Sequence, residues 1–264
     1  MPTAKLPVRC AVHQPNFLPR LSTLAKIYQS DVWIVLNDVQ FTRRDYQHRT
    51  RLARLDDPAH QQWLTLPVHL PHGRTTMINQ VRLADLDRCR RRVPALLQQH
   101  YRKSPHWRQF RTTLDEITDL LAATDRLDDV AESSTRGLLR LLGWSGRIVR
   151  SNSLPARPGR SQRLADLASA VGANAYLCGE GGMRYLDHTP FRSAGITVVP
   201  LKTPTALSSS VWTRARRITG LWAVMTAGSG ILAHVLATMR SGITLRSASG
   251  DDVCDSDPHS IDSP

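Results

Sequence analysis

The chain has 264 residues, of which 41% are hydrophobic, so it can bury a core, and disorder is not the expected state. No run of eighteen apolar residues occurs, and residues 1–9 lack the basic-then-apolar pattern of a signal peptide. We therefore expect a cytoplasmic protein without a membrane span. The wide spacing of the four cysteines excludes a zinc ribbon or a disulfide scaffold.

The net charge of +13 and the isoelectric point of about 10.6 have two explanations. The four lysines leave arginine as 31 of the 35 basic residues, a bias that is typical of GC-rich genomes. The same charge suits an anionic substrate or an RNA partner. Composition alone does not decide between them.

The first forty residues have the pattern strand, loop, helix, strand. Residues 8–12 are β-prone, and two prolines fix a loop over residues 13–19. Residues 20–29 have helical spacing, and the apolar run 32–36 suits a parallel strand that is covered on both faces. This βαβ unit predicts an α/β fold with a mainly parallel, Rossmann-like sheet flanked by helices.

The rest of the chain adds strands, an inserted helical block and C-terminal helices. Strands are predicted at residues 63–68, 78–83, 146–151, 175–178 and 196–200. Helices are predicted at residues 85–101, 107–123, 127–142, 161–171, 214–225 and 231–239. Residues 179–182 read as a glycine-rich loop. We interpret residues 1–246 as one domain with a helical insertion at about 84–143, and residues 247–264 as a disordered acidic tail.

His13 and Asp38 follow the first two predicted strands. Ligands of open α/β sheets bind beyond the carboxyl ends of the strands, so these side chains are expected in one crevice, with His13 as a general base that Asp38 orients. Gln14, Asn16 and Gln40 add amides for a polar substrate. The alternative is that His13 and Asp38 only satisfy local backbone groups.

Basic and glycine-rich segments give further candidates. Arg49, in an arginine-rich stretch that includes Tyr46, is placed to clamp an anionic donor, although a solvated basic face is the commoner outcome. The amides after Gly179 are candidates for an anion nest. Cys178 is a conceivable nucleophile without an assignable base, and no metal site is predicted.

Many segments, in order, resemble the WbqC-like protein family. The signature lies at residues 13–19 (HQPNFLP), 30–41 (SDVWIVLNDVQF) and 46–49 (YQHR). Later matches are residues 64–68, 78–79, 101, 104–105, 161–164, 172–179, 185–187, 191 and 195–196. The resemblance covers about residues 8–200 and strengthens the prediction of a site at His13 and Asp38.

The resemblance implies modification of a sugar or amino-sugar in a polysaccharide or antibiotic pathway. Acyl or aminoacyl (glycyl-type) transfer that forms an amide is the implied reaction, with ATP, an aminoacyl-tRNA or a thioester as the donor, which a carrier protein can also present. Tyr46, Arg49, Gly179 and Tyr185 are the implied substrate-binding residues beside the amides. Asn37 stands where the family usually has a second acidic residue, which disfavours a two-carboxylate mechanism.

Three other functions remain open. The strand–loop–helix start also resembles nucleotidylyl and adenylyl transferases, although Asn16 stands in place of their second histidine. An RNA-binding or tRNA-dependent protein would use the arginine clusters as one face. A non-catalytic pathway partner would need neither His13 nor Asp38. The sequence does not indicate the oligomeric state.

Overall fold

A computed structural model describes residues 8–202, 210–212 and 214–242. In these residues the strands are β1 (Arg9–His13), β2 (Val32–Val35), β3 (Arg49–Ala53), β4 (Gln61–Thr65), β5 (Val68–His69), β6 (Arg82–Leu83), β7 (Arg147–Arg150), β8 (Ala175–Gly179) and β9 (Thr197–Leu201). A five-stranded, wholly parallel sheet has the order β7-β2-β1-β8-β9. The predicted α/β, Rossmann-like fold is confirmed.

Helices cover both faces of this sheet. The helices of the described residues are α1 (Leu21–Tyr28), α2 (Leu86–Tyr101), α3 (Trp107–Ala123), α4 (Leu127–Leu141), α5 (Arg160–Ala170), α6 (Glu180–Met183), α7 (Thr189–Ser193), α8 (Gly220–Ala227) and α9 (Ser229–Ser241). Helices α2 to α4 occupy the stretch where a helical block was predicted. The remaining strands form two small antiparallel pairs, β3–β4 and β5–β6.

The buried strand β2 divides the core into two layers. Trp33 and Val35 belong to the apolar cluster that contains α1, the helical block and α8, whereas Val32 and Ile34 pack with α5. Successive side chains of a strand point to opposite faces, so α1 and α5 lie on opposite sides of the sheet. The continuous apolar run of β2 is explained by this double coverage.

The order in which strands are added to the sheet reverses at β1. From β1 the chain adds β2 and β7 on one side, and then returns to add β8 and β9 on the other. Whereas β1 and β2 pair over four residues, β1 and β8 pair only at Arg9↔Ala175 and Cys10↔Tyr176. Beyond these pairs the two strands separate toward their carboxyl ends. Such a switch point is where α/β sheets usually bind ligands.

Three local predictions were wrong. Residues 78–83 form a 3₁₀ turn (Ile78–Gln80) and the short β6, because the Gln80 side chain accepts from the Met77 N–H at 3.0 Å and closes a turn. The predicted loop at 179–182 is mostly the helix α6. Residues 214–218 are a turn, and α8 begins at Gly220 because Thr219 caps it by accepting from the Leu221 N–H at 3.2 Å. The predicted acidic tail lies outside the described residues.

Within the described ranges, no single helix has both the length and the apolar character needed to cross a membrane. Helices α8 and α9 meet the criteria of length and composition only as a pair, and they are bent by 117° at Gly228.

The close packing of α3 against α4 depends on Gly137. A Cβ at this position would overlap the Cγ2 methyl of Thr113. We expect Gly137→Ala to lower the free energy of unfolding, because overpacking costs ~1–3 kcal/mol and exceeds the ~1 kcal/mol that alanine gains in a helix. Chemical denaturation measures the change.

Two further variants control this prediction. Gly230→Ala in α9 meets open space and should leave stability unchanged or raise it. Adding Thr113→Ser to Gly137→Ala removes the overlapping methyl group and should restore part of the loss. Equal stability of Gly137→Ala and the wild type would contradict the packing argument.

Candidate functional site

The side chain of His13 lies at the carboxyl end of β1, on the face of the sheet that α1 covers. Its Nε2 is 3.1 Å from Thr23 Oγ1 of α1, and the two atoms form a hydrogen bond whose direction depends on the tautomer. His13 is only partly buried, although its neighbours Ala11 and Val12 are buried. The first strand therefore presents an imidazole at the switch point, where its ladder with β8 has already ended.

Lys26 fills the gap between the separating strands. The carbonyl of His13 accepts from the Leu36 N–H on the side of β2, so the carbonyl of Val12 points the other way, toward β8. Lys26 Nζ donates to this Val12 oxygen at 2.7 Å. An ammonium group from α1 thus satisfies a carbonyl that β8 no longer reaches.

A crevice of about 400 Å³ opens over these residues. His13, Thr23 and Lys26 line one part of it, and Cys178 with the backbone around Gly179 lines another. Arg20 and Arg216 add two guanidinium groups, of which Arg216 pairs with Glu180. The size suits a small-molecule fragment, and the lining carries more positive than negative charge.

The charges and burial of the crevice decide the protonation of His13. Burial lowers the pKa of His13 well below 6.5, and the positive charges of Lys26 and Arg20 lower it further. Burial also lowers the pKa of Lys26 and raises that of the Cys178 thiol. His13 is therefore an uncharged imidazole at neutral pH, able to accept a proton, while Cys178 remains a thiol.

Asp38 and His13 have different side-chain partners. Its carboxylate accepts a hydrogen bond from Ser151 Oγ, just beyond β7, and forms an ion pair with Arg163 Nη2 of α5 at 2.5 Å. These partners lie on the α5 side of the sheet, whereas Thr23, the partner of His13, lies on the α1 side. In the described residues no hydrogen bond joins Asp38 to His13, so an orienting role of Asp38 stays a prediction.

Asp38 instead borders a buried polar network at the ends of β2 and β7. The Asn37 side chain donates from Nδ2 to Asp128 Oδ2 at 3.1 Å, and Asp128 is also paired with Arg126 at 3.1 Å. Asp128 is 1% exposed, so the network is internal. Asn37, which stands where an acidic residue was expected, thus acts as a donor to a buried carboxylate.

The predicted amides are not gathered in the crevice. Gln14 Oε1 accepts from Gln47 Nε2 at 2.7 Å, and exposed Gln40 donates from Nε2 to the Arg74 carbonyl at 2.6 Å. Asn16 is 2% exposed, and its backbone carbonyl accepts from Thr135 Oγ1 at 2.9 Å. The contacts of Gln14 and Asn16 hold the loop after β1 in place, whereas that of Gln40 ties the segment after β2 to Arg74.

The other predicted binding residues divide between two places. Gly179 lines the crevice. Tyr185 is 66% exposed beside Arg160 and is absent from the crevice lining. Tyr46 lies under the guanidinium of Arg20, a crevice residue, and Arg49 lies over the neighbouring ring of Trp63.

Sequence reasoning missed Arg20, Thr23 and Lys26. Arg20 immediately precedes α1, and Thr23 and Lys26 follow at intervals of three residues within it. The three side chains form one polar stripe on a helix whose other residues are mostly buried. A polar stripe on an otherwise apolar helix, next to a strand that ends in histidine, was the available signal.

The sequence is similar to known proteins over most of its length. The model of the WbqC-like protein family matches residues 14–207, beginning one residue after His13. The chain is 25% identical over 196 residues to the Uncharacterized protein Rv1507c of Mycobacterium tuberculosis, an alignment that covers 72% of this chain and 80% of that protein. No solved structure matches it. Because the family model spans most of the sequence, the chain belongs to the WbqC-like protein family.

Proposed function

We propose that this protein is a transferase that moves an acyl or aminoacyl group onto an amine and forms an amide. The observation that carries the proposal is the position of His13, which is bonded to Thr23 in a crevice that Arg20 and Lys26 also line. The acceptor class, an amino-sugar or related metabolite of a polysaccharide or antibiotic pathway, rests on the family resemblance. The donor is an ester or thioester of the acyl group.

The chemistry follows from the groups in the crevice. His13 accepts a proton from the attacking amine as the carbon–nitrogen bond forms. The carbonyl oxygen of the donor becomes negative in the tetrahedral intermediate, and the Lys26 ammonium is the group assigned to stabilise it. When the carbon–oxygen or carbon–sulfur bond breaks, His13 returns the proton to the leaving group.

Thr23 takes the positioning role that was expected of Asp38. If His13 Nε2 carries the hydrogen and donates it to Thr23 Oγ1, Nδ1 is the basic nitrogen. Asp38 supports the site only indirectly, through Ser151 and Arg163. Gly179 remains a candidate for substrate contacts, because it lines the crevice.

His13→Asn is expected to lower the rate of amide formation by roughly 10²–10⁴, the usual contribution of a general base. The measurement is mass-spectrometric detection of amide from an amino-sugar and an aminoacyl ester or thioester, with circular dichroism to verify folding. His188→Asn changes an exposed histidine outside the crevice and should keep wild-type activity. An His13→Asn variant as active as the wild type would refute the proposed base.

The pH dependence of the rate gives a second test. Because burial, Lys26 and Arg20 lower the pKa of His13, the base stays unprotonated as the pH falls through 6.5. With the rate expressed per unprotonated amine, we expect kcat/KM to remain level there and to fall only at lower pH. Lys26→Met removes a positive charge beside His13, so the pKa of His13 rises and the acid limb should move toward neutral pH.

Lys103→Met removes a similar charge from an exposed position away from the crevice and should leave the profile unchanged. His13 would not be the titrating base if the kcat/KM of the wild type fell with a midpoint at pH 6.5. The same conclusion would follow if Lys26→Met left that midpoint unchanged.

A further inference from the structure

A continuous stack of arginine and aromatic side chains extends from the crevice to β3 and β4. The guanidinium of Arg20 lies 4.2 Å from the ring centroid of Tyr46, and the rings of Tyr46 and Trp63 are 5.6 Å apart. Arg49 and Arg51 lie 4.3 and 4.5 Å from the centre of the Trp63 ring. We call these five residues the arginine–aromatic track.

The β3–β4 pair fixes the outer end of the track. Arg51 is directly opposite Trp63 in the antiparallel register, and Arg49, two residues earlier, is on the same face. The inner end is held by backbone carbonyls: Arg20 Nη1 donates to Arg216 O at 3.2 Å, and Tyr46 Oη donates to Arg217 O at 3.3 Å. Since Arg20 also lines the crevice, the track leads to the proposed active site.

The guanidinium groups of the track contact neutral oxygens and aromatic rings. Arg49 donates to the carbonyls of Asp45 and Arg44, at 3.2 and 2.7 Å, and Arg51 donates to Gln61 Oε1 at 3.2 Å. In the part of the chain that the structure describes, neither they nor Arg20 forms an ion pair with a carboxylate. Among the residues with described positions, no carboxylate therefore neutralises these three guanidinium groups, whereas many other arginines pair with one.

These features suit a chain of phosphates. Guanidinium groups bind phosphate through two parallel hydrogen bonds, and stacking on aromatic rings fixes their planes before the ligand arrives. Unpaired bases can stack on arginine and aromatic side chains, as they do in single-stranded RNA recognition. Three such cations in a line exceed the need of one small anion, and the track ends at the crevice that His13 lines.

We propose that the arginine–aromatic track binds the single-stranded 3′ end of an RNA that carries the acyl group as an ester, and so delivers this ester to His13. The inference deepens the proposed function and rests on it. The amine forms the new carbon–nitrogen bond, the ester carbon–oxygen bond breaks, and the amine proton passes through His13 to the ribose oxygen. The deacylated RNA leaves without any redox step.

The test measures RNA binding without turnover. The full chain is titrated into 5′-labelled, deacylated bulk transfer RNA, and fluorescence anisotropy is recorded at several salt concentrations. Arg49→Gln with Arg51→Gln should weaken binding roughly tenfold or more and reduce the slope of log K against log salt by about 2. Arg91→Gln with Arg92→Gln removes the same charge from exposed positions on α2 and should stay within about twofold of the wild type.

Two further comparisons separate the track from general polyanion binding. Removing the unpaired 3′ nucleotides of the same transfer RNA should weaken binding to the wild type and leave little effect of the Arg49/Arg51 pair. Arg49→Lys with Arg51→Lys keeps the charge but loses the stacking and the paired hydrogen bonds, so it should also bind more weakly. This milder pair keeps the test valid if the glutamine variant fails to fold.

Several results would overturn the inference. They are no binding to transfer RNA, equal losses for the two arginine pairs, equal affinity for trimmed and intact RNA, and equal affinity for a DNA duplex. His13→Asn should still bind RNA. If RNA does not bind but amide formation from a thioester requires His13, the inference fails and the proposed function stands. If RNA binds through the track and His13→Asn retains full activity, the proposed base fails instead.

Discussion

The early separation of β1 from β8 is the constraint on which the site depends. The strands pair at only two positions, so their carboxyl ends diverge and leave the Val12 carbonyl without a strand partner. A buried carbonyl must be satisfied, and an ammonium group from α1 does this at the cost of carrying a charge inward. The same charge lowers the pKa of His13 and keeps it uncharged. The separation of β1 from β8 therefore accounts for the crevice, for the inward position of Lys26 and for the uncharged state of His13.

The sequence predicted the sheet, because buried parallel strands such as β2 consist of uninterrupted apolar residues. It predicted the helical block and the position of His13 for similarly local reasons. The sequence could not predict that Asp38 bonds to Ser151 and Arg163, since this depends on the path of three residues after β2 and on the face that each side chain takes. Lys26 was overlooked because a lone lysine on a helix usually faces solvent, and only the gap beside Val12 explains its inward direction.

The distribution of charge separates two parts of the molecule. At the ends of β2 and β7, arginines meet carboxylates, as Arg150 meets Asp129 and Glu132, and the cluster is internally balanced. On β3, Arg49 and Arg51 lie on the Trp63 ring and donate to neutral oxygens, although Arg54 just beyond the strand pairs with Asp56. The excess positive charge of the chain is thus not spread evenly. A genome-wide preference for arginine does not by itself explain why arginines have acidic partners in one region and aromatic partners in the other.

The two hydrogen bonds from α1 to β1 have a mechanical consequence. Thr23 and Lys26 lie one turn apart and both contact the last residues of the strand, so the helix is pinned at two points along its axis. Sliding or rotating α1 by one residue would withdraw both groups at once. The alignment of a single helix against a single strand therefore sets the geometry of the reactive centre, and insertions or deletions in the loop between them would misplace it even where the core still packs.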